Sequence, residues 1–263
     1  MKFTKLFLVL FLITYSSVAT FASVEVLGSL KHVHNVKPGD ILKGEIRIQN
    51  TEDTPQEVRI YQTDLLYNFQ ENTFYDEPGA HFRSNATWIA FSPRTLILSP
   101  KESRVIQYEI TVPVADTLNG TYWSVMMVEG VTPVDPNNKG TLNIRTVTRY
   151  AIQITTEIAN RGIGLLKFLE PTLVNEGSKL YLAVDIKNEG GRYIAPDVTI
   201  EVFDASGNAV KVLSAPKKGL YPSTSVRFKF DLEGLPARQN YQLMIVAAGQ
   251  EEDVFGLEYT LYF

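Results

Sequence analysis

The sequence predicts an all-β protein of two tandem immunoglobulin-like β-sandwiches, on three observations. Apolar and polar residues alternate with period two through nearly every segment, as they do in strands with one buried face. Turn signals such as Val36-Lys37-Pro38-Gly39, Leu118-Asn119-Gly120 and Pro136-Asn137-Asn138-Lys139-Gly140 cut that alternation into short runs. Proline presets φ and glycine or asparagine accepts positive φ, so these clusters are turns with a mechanism. The third observation is a repeat. PGDILKGEIRIQN, residues 38–50, places Leu42, Gly44, Ile46 and Ile48 in step and closes on Asn50. GSKLYLAVDIKN, residues 177–188, does the same with Leu180, Leu182, Val184, Ile186 and Asn188. Further on, Leu98-Ser99-Pro100 with Ile106, Tyr108 and Ile110 is matched by Leu220-Tyr221-Pro222 with Val226, Phe228 and Phe230.

Taken in order, residues 1–22 read as a signal peptide. Lys2 and Lys5 precede an apolar run from Leu6 to Ile13 that is too short to span a bilayer, and small residues suited to cleavage follow. The first sandwich is expected over 24–159, with strands near 26–34, 41–50, 56–69, 86–91, 103–112, 120–129 and 141–158. The second is expected over 163–263, with strands near 165–174, 179–188, 197–204, 209–214, 223–232, 239–248 and 254–263. Seven or so short strands per unit suit the sandwich. Ala159 to Gly164 forms the joint, and Asp204-Ala205-Ser206-Gly207-Asn208 a hairpin turn. One stretch resists the pattern: Tyr67 to Phe82 holds Phe69, Phe74 and Tyr75 among polar residues and reads as a long connection. It is either a contact surface for a partner or a loop folded over the end of the first sandwich.

Composition narrows the function. The chain has no cysteine, so disulfides, thiolate metal sites and thiol nucleophiles are excluded, and stability must come from the two cores. Removing Lys2 and Lys5 with the leader takes the formal charge from −4 to −6, an acidic balance that argues against nucleic acid. No later apolar run approaches bilayer length, so membrane insertion is not expected, and the mature chain belongs in the periplasm or outside the cell.

No catalytic set emerges. G-x-S-x-G, a phosphate-binding glycine loop and H-E-x-x-H are all missing, and the chain has three histidines. Asp64, Asp76 and Glu77 flank the aromatic stretch, but nothing in their spacing selects an acid pair. His32 and His34, two apart on one strand, share a face, and His81 is the remaining histidine that could join them as a metal ligand. Surface histidines are the commoner outcome, so no metal, cofactor or catalytic residue is expected. Trp88 and Trp123 sit among apolar strand neighbours and read as core before they read as sugar platforms.

Two resemblances add to this reading. SLKHVHNVKPGDILKGEIRIQN (29–50), the stretch from Phe91-Ser92-Pro93-Arg94 to Leu98-Ser99-Pro100, and Thr148-Arg149-Tyr150-Ala151-Ile152-Gln153 resemble the N-terminal domain of PapD-like periplasmic pilus chaperones. That resemblance implies a non-catalytic protein that lends a strand to a pilin-like or surface subunit. It also implies two basic residues holding the client's terminal carboxylate, which fall on His34 and Arg149. Over residues 27–263, the order of the Asn50 turn, Leu98 to Ser103, Gly120-Thr121-Tyr122-Trp123 and a second sandwich is similar to the extracellular part of WxL-interacting surface proteins. This second resemblance implies a cell-envelope module that binds peptidoglycan or a surface partner. The expected partner-binding residues are therefore His34, Arg149, Phe74 and Tyr75, with Trp88 and Phe74 serving a glycan in the alternative.

Overall fold

The computed structural model describes residues 23–131, 147–159, 162–250 and 253–263. The predicted leader, residues 141–146 of one predicted strand, and Asn160-Arg161 of the predicted joint lie outside these residues.

The first domain is built from β1 (Val24–Leu27), β2 (Lys31–Val36), β3 (Ile41–Asn50), β4 (Gln56–Tyr67), β5 (Thr73–Asp76), β6 (Ile89–Ser92), β7 (Thr95–Leu98), β8 (Ser103–Thr111), β9 (Thr121–Val131) and β10 (Arg149–Ile158). One sheet has the order β1-β3-β8-β6; the facing sheet runs β2-β10-β9-β4-β5, with β7 also on β4. The second domain comprises β11 (Leu166–Phe168), β12 (Thr172–Glu176), β13 (Lys179–Asn188), β14 (Asp197–Phe203), β15 (Ala209–Ser214), β16 (Ser225–Asp231), β17 (Asn240–Ala248) and β18 (Val254–Tyr262). Here β11 and β12 share one flank of β13 and β16 takes the other, facing a sheet β15-β14-β17-β18. The chain is therefore all-β, two tandem sandwiches.

The period-two residues form the cores. Ile46, Ile48, Ile106, Ile110, Met126 and Ile154 are buried in the first, and Leu182, Val184, Ile186, Phe228, Phe230 and Ile245 in the second. The repeat extends to hydrogen bonds. Asn50 Nδ2 donates to the Thr54 and Ser99 carbonyls at 2.8 and 2.9 Å, and Asn188 Nδ2 donates to those of Arg192 and Leu220 at 2.7 and 3.0 Å. Each Oδ1 accepts a backbone N–H two residues on, from Glu52 and from Gly190, both at 2.9 Å. A fully buried amide thus ties the end of β3, or of β13, to the turn that follows it and to the Leu-x-Pro segment. Gly44 has a packing reason as well: the Tyr108 ring lies over it, and any Cβ there would collide with that ring.

The run near 165–174 is two strands, β11 and β12, on one flank of β13, and three further segments depart from the predicted strands. The run near 26–34 is two strands: β1 pairs with β3 antiparallel, and β2 with β10 parallel in the other sheet. Gly28, at φ +99°, makes the crossing, a conformation open to glycine. Residues 67–82 are not one connection, because Thr73–Asp76 fold back on β4 as a hairpin strand, pairing Leu65 with Tyr75 and Leu66 with Phe74. All four β5 residues are exposed, so no buried alternation marks them in the sequence. The short β7 escapes the reading for a related reason: only Leu98 of its four residues is buried.

Candidate functional site

Strand β9 is apolar on both faces. Met126 and Val128 enter the first core, whereas Trp123, Val125 and Met127 point outward and gather with Leu65 and Tyr221 in a third buried cluster. A sheet face this apolar must be covered, and the second domain covers it through Tyr221. The Tyr221 ring stacks on Trp123 with centroids 4.5 Å apart and planes at 12°. Its hydroxyl donates to Gln153 Oε1 and accepts from Thr155 Oγ1, both at 2.8 Å. Tyr67 adds a clasp, donating to the Gly219 carbonyl at 2.8 Å and accepting the Tyr221 N–H at 3.2 Å. Burial raises both phenols, Tyr67 up to about 12, so at neutral pH each remains a neutral donor. On the other side, Thr121 N donates to the Gly191 carbonyl at 2.9 Å and Tyr193 N to Thr121 Oγ1 at 2.8 Å.

Beside this joint a cleft of about 320 Å³ opens between the domains, lined by Lys31, Val33, Glu157, Arg192, Tyr193 and Asp253 among others. Arg192 is paired with Asp253. Lys31 Nζ instead sits 3.2 Å from the centre of the Tyr193 ring and 5.1 Å from that of Tyr221. Burial depresses its ammonium to about 8, with Glu157 opposing the shift. The sign follows from linkage. A lysine near 10.5 when unfolded and near 8 when folded is charged in both states below pH 8, where the fold bears the cost of the buried charge. Native stability is therefore expected to gain from this group as pH rises from about 8 to about 10.5, and Lys31→Met to remove that gain. Urea melts of both proteins across that window measure the difference; equal pH profiles would contradict it.

The cleft meets an unfinished strand flank. β2 covers β10 only from Gln153 to Ile158, starting with a bond from Gln153 N to the Leu30 carbonyl at 2.8 Å. From Arg149 to Ile152, β10 pairs with β9 alone among the described residues. Backbone groups alternate sides along a strand, so Arg149 and Ala151 direct their N–H and C=O the way Gln153 does, toward this open flank.

The structure does not bring His34 and Arg149 together. His34 is in register with Thr156 of β10, so the two are separated by roughly 23 Å at about 3.3 Å per residue. His34 lies on the inward face of β2 against Tyr108, away from the cleft, and burial lowers its imidazole below the usual range. Arg149 is bound by Glu129, Nε to Oε2 at 2.7 Å, and Glu129 also accepts from the Tyr61 hydroxyl at 3.0 Å. Phe74 and Tyr75 are about half exposed on β5, 46% and 49%. Trp88 is half-buried against Tyr122 on the first core, with ring centroids 4.8 Å apart, so Trp88 and Phe74 belong to different surroundings. Asp64 is fully buried, accepting the Ser84 hydroxyl at 2.5 Å and the His81 N–H at 3.0 Å; it anchors a loop. The His81 ring lies 4.4 Å from that of Trp123, on different neighbours from His32 and His34. The residues at the cleft that sequence reasoning passes over are Lys31, Tyr193 and Tyr221. Only Tyr221 has a signal, a large aromatic where the first repeat has Ser99.

No family model and no curated protein matches the sequence. Among solved structures, the chain is similar to one in a chaperone–tip adhesin complex of CFA/I fimbriae biogenesis, at 15% identity and TM-score 0.49, covering 91% of this chain and 98% of that one. It is similar to the Pseudomonas aeruginosa CupB2 chaperone at 13% identity and TM-score 0.43, covering 90% and 100%. A PapD-like domain of human CEP192 aligns at 12% identity and TM-score 0.36, covering 53% of this chain and 87% of that one. Identities this low transfer no function.

Proposed function

We propose that this chain is an exported, non-catalytic binding protein that takes up an extended segment of another protein by β-strand addition, as a chaperone or assembly adaptor for a pilin-like or surface subunit. The observation that carries this reading is the open flank of β10 at Arg149–Ile152, which ends where β2 begins, at Lys31. An incoming strand parallel to β10 runs along that flank with its C-terminus toward the cleft. Its backbone pairs with Arg149 and Ala151, which supplies affinity independent of side chains. Among the described residues Lys31 is in no ion pair, so its ammonium is the cation placed to receive a terminal carboxylate. That role moves from His34 and Arg149 to a lysine on the opposite face of the same strand as His34.

Ala151→Pro tests the reading. The Ala151 N–H faces the open flank, so proline deletes a donor that the β9 ladder does not use, and stability is expected to change by no more than about 1 kcal/mol. Affinity capture from envelope extracts of the source cell is expected to recover a discrete exported subunit with the native chain and to lose it with Ala151→Pro. Recovery undiminished by the substitution would sink strand addition. Co-sedimentation with purified cell walls, unaffected by Ala151→Pro, would instead favour a peptidoglycan module.

A further inference from the structure

The inward face of β2 carries His32 and His34, and both rings end on one atom of the opposite sheet. His32 Nδ1 lies 2.8 Å and His34 Nε2 2.9 Å from the Tyr108 hydroxyl. Tyr108 is buried, and its ring is set by contact with Gly44. The proton positions follow from the partners. His32 Nε2 is 3.1 Å from the Ser29 carbonyl, so it carries the hydrogen and donates, which leaves Nδ1 a lone pair facing the hydroxyl. The Tyr108 hydroxyl gives its one proton to that lone pair. His34 Nε2–H then donates to the tyrosine oxygen.

Three donor atoms therefore converge, and His32 already has the outer carbonyl partner that metal-bound histidines use. The donor set indicates which ion fits: two imidazole nitrogens and a phenol oxygen are N,O ligands of the kind copper(II) takes in tetragonal geometry, and hydrogen bonds of 2.8 and 2.9 Å hold them close enough to share one ion. Among the described residues no three His, Cys, Asp or Glu side chains gather, so a closed zinc site is not formed there. We propose that His32, His34 and Tyr108 form a site for a tetragonal divalent cation, copper(II) being the tightest by the Irving–Williams order, with a remaining position left to water. The sequence expectation of no metal considers histidine and cysteine donors; the third donor here is a phenol on the facing sheet. Both histidines are only partly buried, which gives the ion access. On binding, two metal–nitrogen bonds and one metal–oxygen bond replace the two hydrogen bonds. The phenol proton leaves to solvent, one per ion, and the His34 ring proton passes from Nε2 to Nδ1.

The test uses the full chain without a polyhistidine tag, stripped with chelator and titrated with copper(II) or zinc(II). One copper per chain is expected, with a tetragonal paramagnetic resonance spectrum split by two nitrogens and a phenolate-to-copper charge-transfer band. Tyr108→Phe should abolish the band, His32→Gln and His34→Gln should each weaken copper about tenfold or more, and zinc should bind more weakly than copper. Circular dichroism reports whether each variant folds; where one does not, the wild-type spectrum decides. A wild-type copper complex without the charge-transfer band, affinity unchanged in the double glutamine variant, or no binding at about 100 µM copper would each overturn the site.

Discussion

Replacing Tyr221 with serine, the residue the first repeat carries at Ser99, is expected to release the two domains from each other while each stays folded. The substitution removes the stack on Trp123 and the bonds to Gln153 and Thr155, and it uncovers the outward face of β9. Truncating a buried aromatic costs about 3–5 kcal/mol, and here the loss falls on the contact between domains. Calorimetry should resolve two transitions where the native chain shows one, and small-angle scattering should report a larger radius of gyration. Tyr221→Phe keeps the ring and loses only hydrogen bonds, so a loss of about 1–2 kcal/mol is expected with the scattering profile unchanged. An unchanged radius and a single transition for Tyr221→Ser would show that other contacts, such as those of Thr121 with Gly191 and Tyr193, hold the joint alone.

Asn188→Ala is expected to destabilise the second domain markedly. The amide is fully buried, and its loss removes the bonds it gives to the Arg192 and Leu220 carbonyls and accepts from the Gly190 N–H, although the Leu220 carbonyl keeps the Ile194 N–H and the Gly190 N–H keeps the Leu165 carbonyl. Each lost hydrogen bond costs about 0.5–1.5 kcal/mol, so a loss of about 2–4 kcal/mol follows. Asn50→Ala should do the same to the first domain, because its amide serves the Thr54, Leu98 and Ser99 carbonyls. Denaturant melts followed by Trp88, packed on the first core, and by far-ultraviolet circular dichroism of both domains separate the two effects. A shift below about 1 kcal/mol for either would mean that the shared bonding pattern is incidental.

The core, by contrast, was legible before any coordinates. Period-two alternation states which side chains face inward, and a repeated pattern states it twice, so Ile46, Ile48, Val184 and Ile186 are found where expected. Asn50 and Asn188 were visible as repeat positions, though their bonds were not. The limits of the alternation are equally physical. It says nothing about an exposed strand such as β5, whose residues bury neither face. On β9 both faces are apolar, so the pattern alone cannot tell the core face from the face covered by the neighbouring domain.

By itself, then, the sequence determined that this protein is all-β, doubled, cysteine-free and without a recognisable catalytic set. Tertiary structure decided which strand flanks are paired and which side chains line the cleft. Among the described residues, which part of the β10 flank β2 covers depends on where the chain leaves the β1 sheet at Gly28 and enters the other as β2 at Lys31. Likewise, Lys31 is a cleft residue only because Tyr193 and Tyr221, far along the chain, are folded over it. Side-chain alternation is a local property of a strand. Flank pairing and domain cover come from partners distant in sequence, and one chain without its fold does not name them.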